Sequence, residues 1–156
     1  MVTYNSTSRE SGQKVAVFGA TGHTGQFVIT ELLRRGLTPI AIARDAMRLS
    51  ASGFQDRNVE TRVATIESPS SLDRALAGTV AVINCAGPFL DTAEPVMEAA
   101  LRERIHYLDV TADQPSALAI FERYAISARC TELHAVPHPK TSEVRNLIVN
   151  NSKAKG

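Results

Sequence analysis

Val15-Ala16-Val17-Phe18-Gly19-Ala20-Thr21-Gly22-His23-Thr24-Gly25 decides the fold. Its first four residues form an unbroken apolar run, which is how a parallel strand buried on both faces reads. Three glycines follow at G-x-x-G-x-x-G spacing. Gly19 permits a tight turn, Gly22 lets main chain approach a pyrophosphate, and Gly25 allows a helix to pack close to the strand. A helix beginning near Thr24 aims its free N–H groups and positive dipole end at the same anion. The stretch predicts a dinucleotide site.

Glycines at this spacing also occur in ordinary loops, so the flanking sequence carries the weight. Val28, Ile29, Leu32 and Leu33 share one face of a helix over 24–35, and Gly36 stands where a C′ glycine ends it. A second strand at 40–43 completes a βαβ unit of about thirty residues. Beyond it, a short helix at 46–51 is capped by Asp45, a third strand covers 59–64, and a helix at 68–76 has Ser68 as cap and Pro69 in its first turn. Residues 80–83 are a buried strand. The loop 84–90 leads to a helix capped by Asp91 or Thr92, with Pro95 early in it and Val96, Met97, Ala100 and Leu101 facing inward. A fifth strand spans 105–110. Asp113 and Pro115 open a further helix with Leu118, Phe121 and Ala125 on one face, and 133–136 is a weak sixth strand.

Strands alternating with helices imply an α/β fold, a doubly wound parallel sheet of five to six strands with helices on both faces. The expected order is 3-2-1-4-5, with the ligand beyond the strand C-termini between strands one and four. Loops 19–25 and 84–90 flank that crevice.

The 156 residues suit one domain, and 44% apolar residues suffice for its core. We expect a polar, disordered leader at 1–13, the cofactor domain at 14–137 and a polar, poorly ordered tail at 138–156. A net charge of +1 gives no field to recruit nucleic acid. Absent Trp and 5% aromatics argue against a base-stacking platform. No apolar stretch is long enough to span a bilayer. The leader lacks the pattern of a secretory signal, and Cys85 and Cys130 read as two small buried hydrophobes, so a cytoplasmic setting is expected. No metal site is read. Exposed edge strands or residues 147–149 offer surfaces for a homo-oligomer.

The end of strand two reads the adenosine ribose. An acid there holds a 2′-hydroxyl and an Arg pairs with a 2′-phosphate. Arg44 comes first and Asp45 second, which favours NADP over NAD. The competing reading leaves Arg44 solvated and makes Asp45 the ribose ligand. Thr24 either donates to a phosphate or caps the helix, and we favour the cap. His23 reads as a solvent-facing loop residue.

The glycine loop, Ile42-Ala43-Arg44, Ile83-Asn84-Cys85-Ala86-Gly87-Pro88-Phe89, Glu94-Pro95-Val96 and His106-Tyr107-Leu108-Asp109-Val110-Thr111 together resemble saccharopine-dehydrogenase-like oxidoreductases. The resemblance is to their N-terminal NADP-binding Rossmann domain and covers roughly 14–129. It implies hydride transfer with NADPH. It also implies that Gly19, Thr21, Gly22, Thr24, Gly25 and Arg44 contact the cofactor, with Ala86, Gly87 and Pro88 flanking its nicotinamide half. Where those relatives continue Asp-x-x-Gly-Glu, this chain has Asp109-Val110-Thr111-Ala112-Asp113. They also carry a long second domain that completes the substrate site. The chain stops at Gly156, so the expectation is a truncated or frame-shifted relative without that half.

No catalytic group is assigned. Tyr4, Tyr107 and Tyr124 have no Lys four residues on, and no G-x-S-x-G occurs. His106 and Asp109 fall on opposite faces of a strand. Two readings remain: an NADP-dependent oxidoreductase acting on a small-molecule substrate, or a non-catalytic nucleotide-binding module, sensor or remnant.

Overall fold

The computed structural model describes residues 12–110 and 135–136. Element order is β1 (Lys14–Phe18), α1 (His23–Arg34), β2 (Thr38–Ala43), α2 (Ala46–Ala51), β3 (Glu60–Val63), α3 (Pro69–Leu76), β4 (Ala81–Asn84), α4 (Phe89–Glu103), β5 (His106–Asp109) and β6 (Ala135–Val136). A single 3₁₀ turn, Gln55–Arg57, precedes β3. The six strands lie in the order β3-β2-β1-β4-β5-β6, and every neighbouring pair is parallel. The expected α/β doubly wound sheet is what forms, with the short β6 as its edge strand.

Strand alternation divides the core between the two faces. Ala16 and Phe18 of β1 join Leu72, Ala75 and Leu76 of α3 and Val96, Met97 and Ala100 of α4 on one face. Val15 and Val17 join Ile29 and Leu32 of α1, Leu49 of α2 and Phe54 on the other. A strand sandwiched this way has no polar face, which explains why β1, β2 and β4 read as continuous apolar runs. Pro39 is tolerated because Thr38 N–H bonds Gln13 C=O on the β1 side, so position 39 faces β3, whose pairing begins only at Ile40.

Helix α1 ends as its sequence predicts. Gly36 adopts φ +74°. Its N–H bonds Leu33 C=O at 3.0 Å while Leu37 N–H reaches Leu32 C=O at 3.0 Å, the paired closure that uses two orphan carbonyls. Asp45 caps α2 as expected, accepting from Met47 N–H at 2.9 Å and Arg48 N–H at 3.1 Å.

Two expected helix starts move. The N-cap of α1 is Gly22, with no side-chain cap, so Thr24 lies inside the first turn rather than capping it, and His23 is helical. Helix α4 begins at Phe89 with Pro88 as N-cap, so Asp91 and Thr92 are helical rather than caps. The reason is local. Pro88 has the extended conformation an N-cap needs, and its C=O takes the N–H of Asp91 and of Thr92. Pro95 is then interior, and the carbonyl four residues back, that of exposed Asp91, loses its helical donor. The helix expected after Asp113, the tail at 138–156 and Cys130 lie outside the described residues, as does most of the leader.

Candidate functional site

The carboxyl end of β1 is the switch point of the sheet. Phe18 pairs with Ile42 of β2 on one side and Asn84 of β4 on the other. Backbone bonds anchor the loops there. Gly19 N–H and Ala20 N–H both donate to Ile42 C=O, at 2.9 and 3.1 Å. Cys85 N–H donates to Phe18 C=O at 2.8 Å. Gly22 N–H closes a turn onto Gly19 C=O at 3.1 Å.

The three glycines are needed for different reasons, and the geometry separates them. Gly19 has φ +80°, and a Cβ there would sit 2.7 Å from Ala86 N. It therefore turns the chain and lets the two loops touch. A Cβ on Gly25 would lie 2.3 Å from Gly19 O and 2.7 Å from Ala20 Cα, both main-chain atoms that cannot step aside. Gly22 is under neither constraint. Its φ of −76° suits any residue, and a Cβ would meet only Gly19 O, at 3.4 Å. The protein itself places no demand for glycine at position 22. A ligand pressed against this main chain would.

What faces that space is the uncapped start of α1. The N–H groups of His23, Thr24 and Gly25 precede the first helical bond, made by Gln26 N–H to Gly22 C=O, and no side chain caps them. Such a terminus presents orphan donors and a partial positive charge, the arrangement that binds a phosphate. Thr24 is exposed and Thr21 half-exposed at its rim.

Arg44 follows β2 and is exposed. Among the described residues it makes no ion pair. Asp45 has one carboxylate oxygen engaged by two α2 amides, which weighs against it as a ribose ligand. The donor set thus fits a phosphorylated dinucleotide: amides and a helix terminus for the pyrophosphate, a solvent-facing guanidinium for a further phosphate.

The second loop is short, residues 85–88, with a cis Gly87–Pro88 peptide. Under it lies a cluster that sequence reasoning did not assign. Asn84 ends β4 rather than opening the loop, and it is fully buried, alongside buried Thr92, Tyr107 and Asp109. Asn84 Nδ2 donates to Thr92 Oγ1 at 3.2 Å and to the Tyr107 hydroxyl at 3.3 Å, and Tyr107 donates to Asp109 Oδ2 at 3.2 Å. Ala86 N–H donates to Asn84 Oδ1 at 3.1 Å, and the Thr92 hydroxyl donates to Ala86 C=O at 2.7 Å. Burial, with the Asp109 carboxylate nearby, raises the Tyr107 hydroxyl well above the usual phenol range and pushes the Cys85 thiol up to about 12. Both stay neutral near neutral pH. The available signal was the Tyr-x-Asp spacing, which puts both side chains on one strand face beside Asn84, Asp109's register partner. His106 falls on the other face, as expected.

A separate groove of ≈ 320 Å³ lies between α3 and α4, lined by Leu72, Leu90, Asp91, Glu94, Glu98 and Arg102 among others. Three of those are acidic, which opposes a phosphate.

Comparisons with known proteins show the family and the fold. Residues 15–138 match the family described as Saccharopine dehydrogenase NADP binding domain. The chain is 27% identical over 157 residues to a mouse (Mus musculus) saccharopine dehydrogenase-like oxidoreductase, covering 88% of this chain and 33% of that one. It is 30% identical over 151 residues to a probable mitochondrial saccharopine dehydrogenase-like oxidoreductase of Arabidopsis thaliana, covering 87% of this chain and 30% of that one. The chain therefore spans about a third of the length of these curated relatives. Among solved structures, triphenylmethane reductase of Citrobacter sp. complexed with NADP(H) is similar in fold, with TM-score 0.62, 24% identity, and coverage of 80% of this chain and 48% of that one.

Proposed function

This chain belongs to the family of saccharopine dehydrogenase NADP-binding domains, and from that premise we propose that it holds NADP at the switch point and presents it for hydride transfer. Gly19, Thr21, Gly22, Thr24 and Gly25 form the pyrophosphate cradle. The amides at the α1 start and the Thr24 hydroxyl, not engaged in capping, face the phosphates. Arg44 pairs with the 2′-phosphate. Ala86, Gly87 and Pro88 flank the nicotinamide half. Bound NADPH supplies the hydride, and the protein supplies orientation and electrostatics.

The observation that carries this reading is the openness around Gly22. Glycine stands where the fold tolerates a side chain and only a ligand's close approach would exclude one. Membership of this family favours an oxidoreductase over a non-catalytic module. No helix among the described residues is long and apolar enough to cross a membrane. A cytoplasmic setting is our proposal, and imaging of the tagged full-length protein decides between it and the mitochondrion named for the plant relative. Small-molecule substrate and any homo-oligomer belong to the same proposal.

Fluorescence titration with NADPH tests the binding, and NADPH consumption against imine, enoyl and carbonyl compounds tests the chemistry. Binding with consumption supports the oxidoreductase. Binding without consumption favours the module. No binding at millimolar NADPH overturns the reading.

A further inference from the structure

We propose that Asp109 and Tyr107 are positioning residues for the nicotinamide half of the cofactor, acting through Asn84 and Thr92 on the 85–88 loop. The inference rests on the cofactor reading above and deepens it.

A carboxylate only accepts. Asp109 therefore makes the Tyr107 hydroxyl point its proton toward Oδ2, at 3.2 Å. The phenol oxygen must then accept, and it does so from Asn84 Nδ2 at 3.3 Å. That fixes the orientation of the Asn84 amide. Its nitrogen lies toward Tyr107 and Thr92, so its oxygen lies toward the Ala86 N–H, at 3.1 Å. Thr92, accepting from the same nitrogen, turns its own proton to Ala86 C=O at 2.7 Å. The buried Asp109 carboxyl at the end of β5 thus starts a hydrogen-bond chain that grips both backbone polar groups of Ala86. All four side chains are at most 7% exposed, so water does not compete, and a satisfied buried network of this kind is rigid.

The grip matters because of what it leaves over. Cys85 N–H goes to Phe18 C=O, and Pro88 has no N–H while its C=O starts α4. Ala86 is held on both sides. Among the described residues, the loop's backbone groups without a protein partner are the Cys85 carbonyl and the two polar groups of Gly87. Ala86 also abuts Gly19, so any shift of the loop displaces the glycine turn. Asp109 and Tyr107 thereby aim Gly87 at the cofactor without touching it.

The test uses the full chain and two isosteric variants, Tyr107→Phe and Asp109→Asn. Each is titrated with NADPH and with adenosine 2′,5′-bisphosphate, which carries the adenosine half alone. We expect NADPH affinity to fall about tenfold, the size of one well-made hydrogen bond, with affinity for the bisphosphate unchanged. Parallel loss of both ligands with a lowered thermal transition marks a merely structural role and overturns the inference. Unchanged NADPH affinity in both variants overturns it as well, while leaving the cofactor reading intact. Wild-type chain that binds neither ligand overturns the cofactor reading and this inference together.

Discussion

Replacing Gly22 by Val separates ligand recognition from folding. In the folded chain the new Cβ meets only Gly19 O, at 3.4 Å, and the φ and ψ of −76° and 166° are ordinary for a branched residue. The stability change is the sum of a small N-cap penalty and a small gain from restricting the unfolded chain, each about 1 kcal/mol or less and opposite in sign. For a chain of this size Tm should move by less than about 4 °C. Cofactor affinity should respond very differently. Side-chain carbons over the turn keep a pyrophosphate from the α1 amides. Losing two charge-assisted hydrogen bonds costs about 3–6 kcal/mol, a loss in affinity of roughly 10²–10⁴-fold. Gly25→Ala is the counter-example: its Cβ would lie 2.3 Å from Gly19 O. Overpacking of that kind costs about 1–3 kcal/mol and lowers Tm by roughly 2–12 °C. NADPH fluorescence titration beside thermal unfolding reads both quantities. Wild-type NADPH affinity in Gly22→Val refutes the proposed cradle, and a large fall in Tm for that variant refutes the claim that the fold makes no demand at position 22.

Arg44→Ala should weaken NADPH by about tenfold to a hundredfold, the worth of a charge-assisted phosphate contact, while NADH affinity barely changes; equal losses for both cofactors would remove Arg44 from this role. Hydrogen bonds from Arg34 and then Arg35 lower the Glu31 carboxyl to about 2. Because the folded value is depressed, the stabilisation is complete above the ordinary carboxylate value of 4.5 and is lost as pH falls through about 2. The Tm difference between wild type and Glu31→Gln should therefore close over that interval, and a difference that persists to the acid end would contradict the assignment. With its thiol pushed up to about 12 by burial first and by Asp109 second, Cys85 should stay unmodified when alkylated at about pH 8, where only thiolates react. Peptide mapping checks this, and rapid labelling of Cys85 in the native chain would show that the thiol is not held as described.

Residues 15–25 alone specified a strand followed by a turn and a helix, because a buried parallel strand must be apolar throughout and a Cβ at Gly19 or Gly25 would collide with main chain. Gly36 and Asp45 told the same kind of local truth, since C′ and N-cap positions depend on neighbours only one turn away. Local rules failed where two candidates competed for one helix start. Thr24 and Thr92 are both good caps by type, yet Gly22 and Pro88 take those places, because each loop is pulled tight by backbone bonds to a neighbouring strand: Gly19 and Ala20 to Ile42, Cys85 to Phe18. Nor could chain order alone reveal that Asp109, Tyr107, Asn84 and Thr92 form one hydrogen-bonded unit. Asn84 and Asp109 are adjacent only through the β4–β5 register. Period and composition are properties of single segments, so they determine elements and their buried faces. Which polar groups share a water-free space depends on how strands align, and only the assembled sheet decides that.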